Sequence, residues 1–394
     1  MPDVELNFSR EEYNDRIAKT RAAMEAAGVE LLIVYDPSNR HWLTGYDGWS
    51  FYVHECILLS MEGEPVYVGR GMDAVGATRT CFMSHDNIIG YPDYLVQNPP
   101  LHAMTWMAEE VLPARGWDNL RIGVEMDNYY FSARAYLSLK DALPNAELID
   151  ATGLVNWQRA VKSETEILYM KRAARIVEKM HARVLEIFEP GVRKNEVVAE
   201  IYHTSIVGAD GHGGDYPGII PLLPSGEDAS AAHLTWDDKP IRPNEGTFFE
   251  LGGVHRHYHC PLSRTIFLGT PPPKMLDAEK AVLEGVEAGL EAARPGNLCE
   301  DIASAFFATL RKHGFEKESR TGYSIGLSYP PDWGERTMSF RAGDKTELEP
   351  NMCFHFMPGL WVDDWGLEIT ESIRITETGV ECLSNVPRKL QIKK

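Results

Sequence analysis

Long apolar runs are missing from this 394-residue chain, and no basic start leads into an apolar stretch. Neither a bilayer span nor a secretory leader is therefore expected. Positive charge is scarce. Lys and Arg total 39 against 58 Asp and Glu, a net charge of −19, which argues against nucleic acid or an anionic membrane as partner. Paired cysteines are missing too. Cys56, Cys81, Cys260, Cys299, Cys353 and Cys382 are scattered, with no Cys-x-x-Cys pair. They read as reduced packing thiols of a cytoplasmic protein, not as a disulfide framework. There is no short internal repeat and no low-complexity tract.

What is present is enough chain for two domains with sizeable cores. A first helix is signalled by Ser9 and Glu12 as a capping box and by Gly28 as its stop. "ELLIVYD" then reads as a buried strand, "ECILLSMEGEPVYVG" as a hairpin turning at Glu62-Gly63, and "LRIGVEMD" as a further strand. Helical stretches lie between them. This alternation predicts an α/β domain over residues 1–155. A second capping box, Ser163 with Glu166, opens a long amphipathic helix. Residues 156–394 combine long helices with strands rich in Gly, Pro and aromatics, which predicts an α+β domain around an antiparallel sheet.

Within that half, "FFELGGVHRHYHCPLSRTIFLG" has the rhythm of a strand pair carrying metal-binding carboxylates. Most positions where an aspartate is wanted hold something else. Taken in order, "PSGEDASAAH", this strand pair, "RTGYSIGLSYPPDW", "MCFHFMPGLW" and "LEITESIRITETG" resemble the creatinase/aminopeptidase/prolidase family, with its pita-bread fold. The N-terminal half and the junction from Arg159 to Ile167 extend the resemblance over essentially the whole chain. In metal-dependent members, two Asp, one His and two Glu hold a pair of divalent ions. Hard or borderline cations take oxygen and imidazole ligands, and two ions need bridging carboxylates. The resemblance puts those positions on Glu250, Pro261, Tyr323, Met357 and Thr370. Proline cannot ligate through its side chain, and Met or neutral Tyr is a poor ligand for such ions. No metal and no other cofactor is therefore expected. The nearby His255, His257 and His259 are expected on one strand face, as surface or hairpin histidines without a ligand role.

Aromatic-rich stretches such as "WLTGYDGWSFYVHE", "GGDYPGIIPLLPSGEDASAAHLTWDDKP" and "GLWVDDWGLEITESI" are similar to the ectoine hydrolase branch of that family. The resemblance implies a cytoplasmic homodimer that opens the cyclic amidine of ectoine to N-acetyl-2,4-diaminobutyrate without a metal. Hydroxyectoine is a second candidate substrate, and a downstream deacetylase a candidate partner. An amidine carbon is already electrophilic, and its delocalised cation suits carboxylates and aromatic faces.

Glu250 reads as nucleophile or general base, placed at the end of an apolar strand where burial raises its pKa unless the cationic ring pairs with it. His233 falls on the family's substrate-facing histidine and reads as a proton shuttle or a carboxylate binder. Tyr323 reads as a hydrogen-bonding partner of substrate or Glu250, or as a packed aromatic. Glu368 and Glu371 lie three apart on one expected strand and so face opposite sides. Glu371 is expected in the cavity, with Glu368 as a further substrate-contact candidate. Trp49, Phe51, Tyr52, Trp333, Trp361 and Trp365 are ligand-contact or core-packing aromatics. Met357 is an apolar wall, and Arg264 either orients site groups or binds the substrate carboxylate. Rival readings are another metal-free amidine or guanidine hydrolase such as creatinase, a sulfoniopropionate lyase, a Pro-X peptidase, and a non-catalytic binding module.

Overall fold

The computed structural model describes residues 4–394, and the chain divides into two compact units between Gln158 and Arg159. In the first unit, helix α1 (Arg10–Ala27) starts where Ser9 Oγ accepts the Glu12 N–H. It stops at Gly28, whose φ of 65° is the left-handed conformation that glycine adopts without strain. A mixed sheet follows, of β1 (Leu31–Val34), β2 (Cys56–Ser60), β3 (Val66–Arg70), β4 (Ile88–Tyr91), β5 (Arg121–Val124) and β6 (Glu147–Asp150), in the order β4-β3-β2-β1-β5-β6. The β1–β2 and β2–β3 pairs are antiparallel and the rest parallel. Side chains such as Leu31, Val68, Met104 and Leu139 close its core.

The second unit opens with α2 (Glu164–Ile187), started by the complete Ser163–Glu166 capping box. Just before it, Arg159 and Lys162 both pair with Glu335, the lysine at 2.6 Å, and all three are buried. The basic junction residues thus neutralise a carboxylate inside the fold. Helix α2 packs across β7 (Gly246–His255) and β8 (Tyr258–Leu268), an antiparallel pair in which every residue is buried. Gly253 sets the distance. A Cβ there would lie 2.2 Å from Ala173 O and 2.7 Å from Val177 N, both on the α2 backbone. α3 (Lys194–Val207) packs on α2, and α4 (Pro273–Ala292) on α5 (Cys299–Lys312).

The remaining strands are β9 (Gly322–Ile325), β10 (Gly334–Ser339), β11 (Cys353–Phe356), β12 (Gly359–Val362), β13 (Trp365–Glu368), β14 (Glu371–Ile375), β15 (Val380–Cys382) and β16 (Gln391–Lys393). They form a sheet of order β10-β9-β11-β14-β15, a β12–β13 hairpin, and a β16 edge parallel to β8. Phe306, Phe340, Phe354, Phe356 and Trp365 share the core between α4, α5 and these strands. Among the described residues no helix is long and apolar enough to cross a membrane, and the six cysteines are free thiols.

Gly253→Ala should force α2 off the sheet and lower stability by about 1–3 kcal/mol, the usual penalty for overpacking. A denaturant titration reads this as a lower midpoint. An unchanged midpoint would show that Gly253 does not set the spacing.

Candidate active site

Glu250 sits in the middle of β7, opposite Ser263 of β8, and not at a strand end as expected. Its backbone N–H and C=O both bond Leu222 at 3.2 Å. Among the described residues, no backbone group bonds its carboxylate. Only 5% of the residue is exposed. Burial, and then the neighbouring Glu368, hold the Glu250 carboxyl well above the usual carboxylate range, with Lys317 opposing.

Glu368 ends β13 and is fully buried. Its N–H donates to Thr265 Oγ1 at 2.8 Å, and that hydroxyl donates to the Glu368 carbonyl at 3.1 Å, so β13 is pinned to β8. The Trp361 indole N–H donates to Glu368 Oε1 at 3.2 Å. Oε2 is buried and has no hydrogen-bond partner. Burial pushes this carboxyl up to about 7, against the pull of the nearby Ser263 hydroxyl, of Lys317 and of the indole N–H. Lys317 comes from the loop after α5. Its ammonium lies 4.2 Å from the Trp361 ring centroid and has no hydrogen-bond partner. Burial lowers it to about 8, with Glu368 and Glu250 opposing. Two carboxylates and one ammonium are thus coupled in a low-dielectric space. One carboxyl keeps its proton near neutrality while the other can act as base or nucleophile.

Beside Glu250 runs a buried hydrogen-bonded chain. Trp333 Nε1 donates to Tyr323 Oη at 2.7 Å, Tyr323 Oη lies 3.0 Å from His355 Nδ1, and His355 Nε2 lies 2.8 Å from Thr370 Oγ1. The Ser263 N–H donates to the same Thr370 hydroxyl at 2.7 Å. His355 Nδ1 is 3.9 Å from Glu250 Oε1. Pairing of β11 with β9 sets His355 directly across from Tyr323. Burial drops the His355 imidazole to about 3, so it is neutral.

Other expected site residues lie elsewhere. Glu371 starts a different strand from Glu368 and pairs with Arg264 at 2.6 Å and Arg388 at 3.3 Å. Glu368, not Glu371, is the carboxylate coupled to Glu250. The two glutamates do lie in different settings, but on two strands and not one, because a break at Ile369 and Thr370 separates β13 from β14. Arg264 is buried, and its guanidinium donates to Glu371 and to the carbonyls of Ser263, Thr370, Val386 and Pro387. With its donors engaged it holds the Ser263 and Thr370 backbone and has none to spare for a substrate carboxylate.

His233 is exposed on a turn and, among the described residues, forms no hydrogen bond or ion pair with Glu250, Glu368 or Lys317. Trp49, Phe51 and Tyr52 lie on a loop of the first unit, with Trp49 and Tyr52 about 60% exposed (63% and 60%). Phe51 packs between Trp49 and Tyr130. Trp365 belongs to the core and Met357 is half-buried between β11 and β12. The three histidines near Tyr258 are buried, not at the surface. Arg256 and His257 carry φ values of 49° and 60°, a turn that breaks the single face. His259 Nε2 accepts the Gly218 N–H, and His257 stacks on Tyr329.

Lys317 and His355 were not singled out in the sequence. Lys317 lies in a charged loop with no periodicity to mark it. His355 had a signal, since it stands on the strand that leads directly into Met357, a position singled out by the family resemblance.

A family model for metallopeptidase family M24 matches residues 169–377, and one for the creatinase/prolidase N-terminal domain matches residues 16–161. The chain belongs to the M24 family. Across its full length it is 58% identical to ectoine hydrolase of Halomonas elongata, covering 100% of both chains. It is 26% identical to creatinase of a Bacillus species, over 98% of this chain and 93% of that one. Among solved structures, a prolidase from Thermococcus sibiricus superposes with a TM-score of 0.84 at 20% identity, covering 96% and 99% of the two chains. The dipeptidase PepE of Mycobacterium ulcerans gives 0.81 at 23% identity, covering 98% and 99%. The M24 fold is thus the pita-bread fold, with an α/β creatinase-type domain before it.

The M24 name implies metal ions, and the residues here do not fit them. Of the five aligned positions, Pro261 is a strand residue opposite Gly252 whose carbonyl accepts the Ser372 hydroxyl. The hydroxyls of Tyr323 and Thr370 are engaged in the buried chain, and Met357 offers only a thioether. Among the described residues, no group of three or more His, Cys, Asp or Glu is arranged to hold a metal ion.

Opposite effects are expected from the two carboxylates on stability. Glu371→Ala leaves buried Arg264 uncompensated and should cost about 3–5 kcal/mol. Folded Glu368 keeps its proton up to about 7, above the ordinary 4.5, so its ionisation weakens the fold as pH climbs through that window. Glu368→Gln should therefore be at least as stable as the parent at pH 8. Denaturant midpoints of both variants check this, and a reversed order would contradict the placement.

Proposed function

We propose that this M24 hydrolase opens the ring of ectoine, without a metal ion, to give N-acetyl-2,4-diaminobutyrate. One observation carries the reading. Two buried carboxylates, Glu250 and Glu368, and the Lys317 ammonium beside Trp361 interact in one low-dielectric space, in a chain 58% identical to a named ectoine hydrolase. Ectoine is a zwitterion, an amidinium and a carboxylate on one ring. With one proton kept between Glu250 and Glu368, the site presents one negative and one positive charge, complementary to it.

In this reading Lys317 takes the substrate carboxylate, the role that Arg264 has no free donor to fill. The amidinium faces Glu250, and its charge stabilises the ionised carboxylate there. Glu250 then adds to the amidine carbon or removes a proton from the water that does. Glu368, protonated, gives its proton to the departing ring nitrogen, the step expected of His233. One water is consumed: its oxygen ends on the acetyl carbon and its protons on the freed amine and the regenerated acid. The free thiols support a cytoplasmic setting, and the exposed Trp49 and Tyr52 support a homodimer that covers them. A deacetylase is the class of enzyme that would consume the product.

Glu250→Gln should lower kcat on ectoine by about 10²-fold or more. Lys317→Met should mainly raise KM, by about tenfold to a hundredfold, for the loss of a charge-assisted contact. For the free enzyme, kcat/KM should rise as a carboxyl ionises through about 7 and fall as Lys317 loses its proton through about 8. Steady-state kinetics with ectoine, hydroxyectoine and creatine decide the matter. Near-parental activity of both variants, or turnover of creatine alone, would defeat the reading.

A further inference from the structure

The hydrogens of the buried chain beside Glu250 have only two consistent arrangements. The Trp333 indole can only donate, so Tyr323 Oη accepts at that end. The Ser263 backbone N–H can only donate, so Thr370 Oγ1 accepts at the other. His355, being neutral, carries one ring hydrogen and decides the rest.

If that hydrogen is on Nε2, Thr370 Oγ1 accepts twice and its own hydrogen needs a third partner. None lies in range among the described residues, and Thr370 is fully buried. Such an orphaned donor is what folded proteins avoid. If the hydrogen is on Nδ1, Thr370 donates to Nε2 and Nδ1 donates to Tyr323 Oη. Both lone pairs of that oxygen are then filled, by Trp333 and His355. The only hydrogen left over is the Tyr323 hydroxyl's own. Tyr323 retains slight exposure, 8%, where Thr370 has none.

We infer that His355 is a positioning residue, held as its Nδ1–H tautomer by Thr370, and that it commits the Tyr323 hydroxyl to donate into the site beside Glu250. There the hydroxyl meets the polar atoms of the reacting centre, in space that the relatives' ligand histidine would occupy. The inference deepens the ectoine reading and rests on it for the identity of the acceptor. The tautomer itself does not depend on that reading.

Two measurements test it. Long-range proton–nitrogen NMR spectra of histidine-labelled protein, with His355 assigned by its absence in His355→Asn, should show Nδ1 as the protonated nitrogen without substrate. Protonation on Nε2 overturns the inference whatever the substrate proves to be. A double-mutant cycle on ectoine turnover reads the coupling. Tyr323→Phe and Thr370→Val should each lower kcat by about tenfold to a hundredfold with little change in KM. Thr370→Ser should restore most of it, and adding Thr370→Val to Tyr323→Phe should cost nothing more. Multiplying losses in the double variant would mean that Thr370 acts on structure alone and would overturn the positioning role. Absence of ectoine turnover in the parent protein would defeat the functional reading, while the nitrogen spectrum still decides the tautomer.

Discussion

Two carboxylates buried beside a single ammonium set the terms for this molecule's second unit. Charges withdrawn from water are tolerated only when paired or neutralised. Glu250 and Glu368 have one cation, Lys317, between them, so one proton stays behind. Around that constraint the backbone is held tightly. Leu222 bonds both polar backbone groups of Glu250, and Thr265 bonds both of Glu368. Arg264 spans the carbonyls of Ser263 and Thr370. The result is a strongly polar site on strands with little freedom to rearrange, the form in which electrostatic preorganisation is worth most.

The M24 scaffold explains where this set came from in physical terms. A pair of divalent ions needs several carboxylates and an imidazole converging on one space. Here a proline, a tyrosine, a methionine and a threonine stand at four of those positions. In the metal-free reading proposed above, positive charge comes from the Lys317 ammonium, which lies against the Trp361 indole face. Beside Glu250 lies the Trp333–Tyr323–His355–Thr370 chain, whose two terminal donors leave only two consistent arrangements of the hydrogens between them.

Much of the fold was legible because local rules held. The Ser163–Glu166 capping box, the Ser9 cap and the Gly28 stop are where side-chain and backbone chemistry put them, while the Glu12 carboxylate pairs with Arg16 and does not complete the first box. Glu250 was legible because segment order aligns it with a ligand position. What was not legible was where the strands break. Glu368 and Glu371 were read on one strand, but they belong to β13 and β14, and the choice between them inverted. The histidines around Tyr258 were read on one face, but the turn at Arg256 and His257 buries them in separate settings. Arg264 offered no sequence sign that its donors would be consumed by carbonyls from distant segments. Lys317 was invisible because a loop residue has no period, and only tertiary packing brings it to the carboxylates.

The most direct test of the account is a proton NMR time course of ectoine with the purified, chelator-treated protein. The account predicts steady loss of the ring signals and growth of an acetylated diaminobutyrate, at a rate that added divalent metal does not raise. Silence from folded protein, relieved only when metal is restored, would contradict it.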